Sequence, residues 1–337
     1  MYKKPEWLKV RHPDTPNKDV VEQILRDLNL NTVCREAKCP NYNICFSKKT
    51  ATFMIMGTNC TRNCSFCNVR HEHPYELDPE EPKNIAKAVK ELGLKYVVIT
   101  SVSRDDLADG GAEHFAKVIY EIKQLTPTVA IEVLIPDFKG SIESLGIVVH
   151  ALPNVISHNI ETVKSLYKTV RPQADYQQSL NLLKNISSAN LRLARNIDVP
   201  IARSGELRSS NQNIHSKSGF MLGLGETKDN VLELLDDLRA VDCEILTIGQ
   251  YLAPSKQHHP VLEYIEPKVF NEYREIALQK GFLFVTSAPL VRSSFNAGEA
   301  FCLITLKSIH PLKPKILNKL VFEKVLTFLK RYKRIEK

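Results

Sequence analysis

Thr52–Cys67, TFMIMGTNCTRNCSFC, decides how this chain is read. Thr52–Met56 is a short apolar run with β-branched and aromatic residues, suited to a pleated, buried surface. It stops at Gly57 and opens into a loop with cysteines at 60, 64 and 67. The same plan recurs downstream. Tyr96–Thr100 (YVVIT) leads into SVSRDDLADGG, Val129–Ile135 ends at Pro136, and Val155–Ser157 ends in HNIET. Phe220–Leu224 opens into GLGET, Ile245–Ile248 runs into GQYLAP, and Phe282–Thr286 is the last such run. Between them, apolar residues at helical spacing predict helices over Pro82–Leu92, His114–Leu125, Ser141–Ala151, Tyr176–Ile186, Asn230–Ala240 and Pro267–Lys280.

Strands that alternate with helices pair in parallel, because a parallel connection needs a crossover. The expected fold class is therefore α/β, with about six strand–helix units forming a partial or full (βα) barrel. A doubly wound open sheet is the alternative. In barrels, chemistry gathers on the loops that follow the strands, and every unusual loop here lies there. The expected organisation is an N-terminal extension over 1–50, a separate lobe carrying three further cysteines; a barrel over 51–290; and a C-terminal segment over 291–337. Ser187–Ser216 breaks the rhythm and reads as a long polar surface loop.

With 337 residues, 43% apolar and 25% charged, the chain has the composition of an ordinary globular protein. Its net charge of +8 sits entirely after Phe301, where ten Lys/Arg face two Asp/Glu. The rest is neutral, which argues against a nucleic-acid face. The basic end, Leu312–Lys337, has the spacing of an amphipathic helix. No stretch is long and apolar enough to span a membrane, and MYKKPEWLKV lacks the core of a signal peptide. The expected compartment is the cytoplasm, where thiols stay reduced.

Six of the eight cysteines fall in two triplets, Cys34, Cys39, Cys45 and Cys60, Cys64, Cys67. Structural zinc prefers four ligands in paired short spacings. Three thiolates in a tight loop suit an iron–sulfur cluster that keeps one iron open to another ligand. Phe66 would shield the second site. Cys243 and Cys302 read as buried small hydrophobes. Gly223-Leu224-Gly225 has too few glycines for a phosphate-binding fingerprint.

C-x3-C-x2-C with an aromatic before its last cysteine resembles the radical S-adenosylmethionine (SAM) superfamily. A preceding C-x4-C-x5-C is similar to the lipoyl synthases within it. So are TVCREAKCPNYNIC, TSVSRDDLADGGAEHF, HNIETV, VRPQADYQQSL, KSGFMLGLGET, ILTIGQYLAPS and PLVRSSFNA, which span about Asn31 to Gly298. The resemblance implies two [4Fe–4S] clusters and SAM as cofactors. Cys60, Cys64 and Cys67 would hold the cluster that chelates and reductively splits SAM to a 5′-deoxyadenosyl radical. Cys34, Cys39 and Cys45 would hold an auxiliary cluster, with Ser294 of Arg292-Ser293-Ser294-Phe295 as its fourth ligand and a catalytic residue. Where the family has tyrosine, this chain has Phe295. An alkoxide on a distant segment is a hard, releasable ligand for a cluster that gives up sulfur. Gly110 and Gly111, Asn159, Glu161 and Arg171 are the candidate SAM contacts.

The implied reaction inserts sulfur at C6 and C8 of a protein-bound octanoyl group. The implied partners are an octanoylated lipoyl-domain or H-protein-type acceptor, an electron donor such as a flavodoxin or ferredoxin, and an iron–sulfur cluster carrier. The competing readings are another radical SAM sulfur-inserting enzyme and, from a different class, a non-catalytic iron–sulfur or zinc-binding protein.

Overall fold

A computed structural model describes residues 4–9, 15–189 and 214–309. Seven strands form one all-parallel sheet in chain order. They are β1 (Thr52–Ile55), β2 (Tyr96–Ser101), β3 (Ala130–Leu134), β4 (Val155–Ser157), β5 (His215–Leu222), β6 (Ile245–Gln250) and β7 (Phe284–Ser287). β1 and β7 are the two edges, so the sheet curves as an open, partial barrel. Three short helices precede it: α1 (Pro16–Asp27), α2 (Val33–Glu36) and α3 (Tyr42–Ser47). Crossover helices follow: α4 (Glu81–Glu91), α5 (Ala112–Leu125), α6 (Ile142–His150), α7 (Tyr167–Val170), α8 (Tyr176–Ala189), α9 (Lys228–Ala240) and α10 (Pro267–Gln279). A last helix is α11 (Ala297–Ile309).

The strand runs are continuous in their apolar character because both faces are covered. All four residues of β1 and all six of β6 are buried. Helix starts are coded locally. Proline opens α1, α4 and α10. Ser141 caps α6, and Thr227 with Asn230 forms a reciprocal capping box on α9.

Three features differ from the sequence expectation. β5 begins at His215 rather than Phe220, because its first residues are polar yet buried with partners: Ser216 hydrogen-bonds Asp242 O and Lys217 pairs with Glu132. Accordingly, only the middle of Ser187–Ser216 is outside regular structure or description; Ser187–Ala189 finish α8 and His215–Ser216 open β5. Residues 1–50 do not stand apart as a separate lobe. Val21, Leu25, Leu30 and Phe46 share one apolar cluster with Phe53, Ile85 and Phe115 of the barrel, and Met1–Ala297 is one compact unit. Cys243 is fully buried as expected, but Cys302 is exposed.

The second unit is Gly298–Lys337, of which the structure describes α11 from Gly298 to Ile309. The amphipathic helix expected over Leu312–Lys337 lies outside the described residues. Among the described residues, no helix is long and apolar enough to cross a membrane.

Candidate active site

A cavity of about 340 Å³ opens at the C-terminal ends of the strands, within the usual range for small-molecule sites. Cys34 and Cys39 of the first triplet and Cys60, Cys64 and Cys67 of the second line it together. So do Asn159, Glu161, Arg171, Arg292, Ser293 and Ser294. Cys45 is outside the lining but lies close enough to Cys34 and Cys39 for their charges to couple. Gly110 and Gly111 are not lining residues. Both have positive φ and form the turn before α5, where Asp109 accepts from the Gly111 and Glu113 amides at 2.9 and 2.7 Å. A side chain at Gly111 would strike the Met56 sulfur, and one at Gly110 the Phe138 ring.

The second triplet rides on a loop sewn to the barrel through its backbone. Cys60 N donates to Arg70 O at 2.7 Å, Thr61 N to Ser103 O and Ser65 N to Val170 O, both at 3.0 Å. The Arg62 and Ser103 amides donate to Cys60 Sγ at 3.4 and 3.3 Å. Arg62, between two cysteines, turns away from them. Its guanidinium grips Asp105 after β2 (2.7 and 2.9 Å) and Asp137 after β3 (2.8 and 2.6 Å). Despite its burial, the Asp137 carboxyl is held well below the usual carboxylate range by that guanidinium. Arg62 was not singled out from sequence. Its signal was there: one cation set inside an otherwise uncharged cysteine loop.

In the first triplet, Cys34 lies on α2 and Cys45 on α3, with Cys39 in the link between them. Cys39 N donates to Cys34 O at 3.1 Å, and Asn68 Nδ2 after the second triplet donates to Glu36 O at 2.6 Å. The Thr52 hydroxyl donates to Ser294 Oγ at 2.8 Å and also lies against Cys34. Ser294 is therefore beside the first triplet. The sequence marks Thr52 only as a strand residue.

The donor set can be tested against a metal cluster. Burial pushes the thiols up, Cys34 to about 11 and Cys45 and Cys67 to about 12, and Cys39 and Cys64 in the same direction. Such sulfurs become thiolates only against a cationic centre, which fits iron. Among the described residues, no three His, Cys, Asp or Glu side chains converge on a single-ion site; a multi-iron cage draws on more widely spread sulfurs.

The wall after β4 fits an amino-acid ligand. Asn159 Oδ1 and Arg171 Nε are buried without a partner, one an acceptor and one a donor. Asn159 Nδ2 holds Glu161 at 3.0 Å. Burial raises the Glu161 carboxyl, while Arg171 opposes the rise. Arg171 Nη1 is spent on Asn159 O and Tyr167 OH at 3.0 and 2.7 Å, leaving Nε free for a ligand. Phe66 lines the cavity and packs toward Val170, Leu224 and Tyr251. The loop at Gly223 offers nothing to a phosphate, since Glu226 takes the Gly223 and Leu224 amides at 2.6 and 3.0 Å.

Residues 54–238 match the Radical SAM superfamily. The chain is 54% identical over 302 residues to the lipoyl synthase of Caldicellulosiruptor saccharolyticus, covering 90% of this chain and 99% of that protein. It is 51% identical over 298 residues to the lipoyl synthase of Alkaliphilus metalliredigens, covering 88% and 96%. Among solved structures, methylornithine synthase is 16% identical with a TM-score of 0.46, covering 82% of this chain and 84% of that one.

Proposed function

The chain belongs to the lipoyl synthase family of the radical SAM superfamily, and from that premise we propose how its cavity builds a lipoyl group. The enzyme acts on an octanoylated acceptor and uses SAM and two [4Fe–4S] clusters. The observation that carries the assignment is the single cavity lined by Cys34 and Cys39 of the first triplet, all three cysteines of the second, Ser294 and the Asn159–Arg171 wall. A carbon activated at one triplet is then within the same chamber as the sulfur source at the other.

Cys60, Cys64 and Cys67 would hold the SAM-binding cluster, and Cys34, Cys39, Cys45 and Ser294 would hold the auxiliary one. When bound, the first supplies the electron that cleaves SAM and the second supplies the sulfur for C6 and C8. The remaining work belongs to the chain. Asn159 Oδ1 would accept from the SAM ammonium and Arg171 Nε would donate to its carboxylate, the two unpartnered atoms that motivate this placement. Glu161 orients Asn159. Gly110 and Gly111 act through the turn that carries Asp109. Phe66 and Tyr251 exclude water from the second triplet. In this division, residues 1–50 bring the auxiliary cysteines, 51–290 bind SAM, and 291–337 begin with the serine ligand.

The acceptor is of the lipoyl-domain or H-protein type. The electron donor is a small flavodoxin or ferredoxin, and a cluster carrier rebuilds the auxiliary site. The cytoplasm supplies the reducing conditions such thiols need. The test is mass spectrometry of an octanoylated acceptor domain after anaerobic incubation with protein, SAM and reductant. Sulfur-bearing product is expected. SAM cleavage without any sulfur-bearing product, with both clusters loaded, overturns the proposal.

A further inference from the structure

Lys217 on β5 and Glu132 on β3 form an ion pair whose side chains are 2% and 1% exposed, with Nζ 2.7 Å from Oε1. Tyr96 OH donates to the other carboxylate oxygen at 2.6 Å. Two desolvated charges add little to stability, and apolar residues of like volume commonly replace them without loss. What the charge adds here is a strong, charge-assisted bond. Lys217 Nζ also donates to the carbonyl of Ser293 at 2.6 Å, the residue before Ser294.

That bond is one of a series along the segment 289–294. Gln250 N donates to Pro289 O at 3.1 Å, and Asn41 Nδ2 to Leu290 O at 2.7 Å. The Val291 carbonyl lies on Gly249 of β6, where a side chain would not fit. The backbone is thus tied to β6, the N-terminal extension and β5 in turn. Only the Ser294 hydroxyl is held by something light, the hydrogen bond from Thr52.

We infer that Lys217 is a positioning residue for Ser294. Its ammonium pins the preceding carbonyl, so that the serine oxygen exchanges between Thr52 and the auxiliary site by side-chain rotation while the backbone stays in place. The inference rests on the reading of Ser294 as a ligand. Without the pin, the peptide between Ser293 and Ser294 loses its tie to β5 and keeps the local turn from Phe295 N to Arg292 O, so the ligand is lost from its site more often.

The test uses the full-length, anaerobically loaded protein. Lys217→Met is paired with Glu132→Gln, which leaves no lone buried carboxylate and still accepts from Tyr96. This variant, Ser294→Ala and the triple combination are compared by Mössbauer spectroscopy and by the rate at which a chelator removes iron. The expected result is loss of the oxygen-ligated iron signature and about 10-fold faster iron release in the paired variant. The triple variant is then no faster than Ser294→Ala, since both changes act through one contact. Lys217→Gln made together with Glu132→Gln, which keeps an uncharged donor near the Ser293 carbonyl and leaves no lone buried charge, falls in between. A wild-type iron signature in these Lys217 variants, or release rates that multiply in the triple, overturns the inference. Ser294→Ala with an unchanged signature removes the serine ligand itself, and the inference falls with its premise.

Discussion

The two cysteine triplets are held in different ways. The second lies on a loop that follows β1 and is fastened by backbone bonds to the connections after β2 and β4, by the Arg62 clamp on Asp105 and Asp137, and by His258, whose ring pairs with Cys67 O at 3.1 Å. The first lies between two segments far apart in sequence, residues 31–52 and 289–295, joined by single contacts such as Asn41 to Leu290 O and Thr52 to Ser294. Under the proposed function, the site that keeps its cluster is the one riveted to the sheet, and the site that gives up sulfur is the one at a seam. The contrast ties the fold to the reaction: permanence is placed on one continuous loop, and turnover at a junction.

The sharpest way to break this contrast is to remove one triplet at a time. With Cys34, Cys39 and Cys45 all changed to alanine, about four irons remain, SAM cleavage continues and no sulfur-bearing product forms. With Cys60, Cys64 and Cys67 changed, SAM cleavage itself stops. Iron analysis and product assays on both variants check this, and equal losses of SAM cleavage from either set would erase the distinction.

Next in size is Arg62→Met. It leaves the buried Asp137 carboxylate and Asp105 unpaired and should destabilise by about 3–5 kcal/mol, read from urea unfolding. Because the Asp137 pKa is lowered in the folded protein, the clamp's contribution is present at neutral pH and disappears as pH falls through and below the ordinary carboxylate range. The iron lost first should belong to the second triplet.

His158 sharpens the same side of the comparison. It is fully buried beneath that wall, pairs with Ile135 O and Ser179, and burial pushes its pKa down to about 4. The unfolded chain takes up a proton through the ordinary histidine range while the folded chain does not. Stability therefore falls as pH drops from about 6.5 toward 4, by roughly 3 kcal/mol in all. His158→Gln should flatten that part of the curve of urea midpoint against pH; a curve of unchanged slope would reject this account.

The smallest effect is expected at the seam. Thr52→Val removes the hydroxyl that holds Ser294, worth about 1 kcal/mol. Global unfolding barely moves, but chelator release of the first-triplet iron changes measurably while the second-triplet iron does not.

Much of the fold was legible because both of its codes are local. Alternating apolar runs and capped helices name strands and crossovers, and β2, β4 and β6 start where the sequence places them. The start of β5 was not legible. HSKS is polar, and only the partners Glu132, Glu244 and Asp242 O make it a buried strand. The three helices of residues 1–50 were missed for a related reason: they are short, and their stability comes from packing on the barrel core rather than from their own length. At the site, cysteine spacing announced both triplets, since ligand number and chemistry are carried by residue type. The clamp was hidden, because Arg62, Asp105 and Asp137 are scattered through three different connections.

The sequence alone determined the chemistry on offer: which cysteines group together, how many sit in each group, and that strands and helices alternate around them. Tertiary structure decided the rest. It placed Ser294 against Thr52 across 242 positions of chain, left the Asn159 and Arg171 atoms without partners, and set a buried lysine on the carbonyl beside the serine. Ligand identity is a property of single residues, whereas proximity and desolvation exist only once distant segments share one cavity.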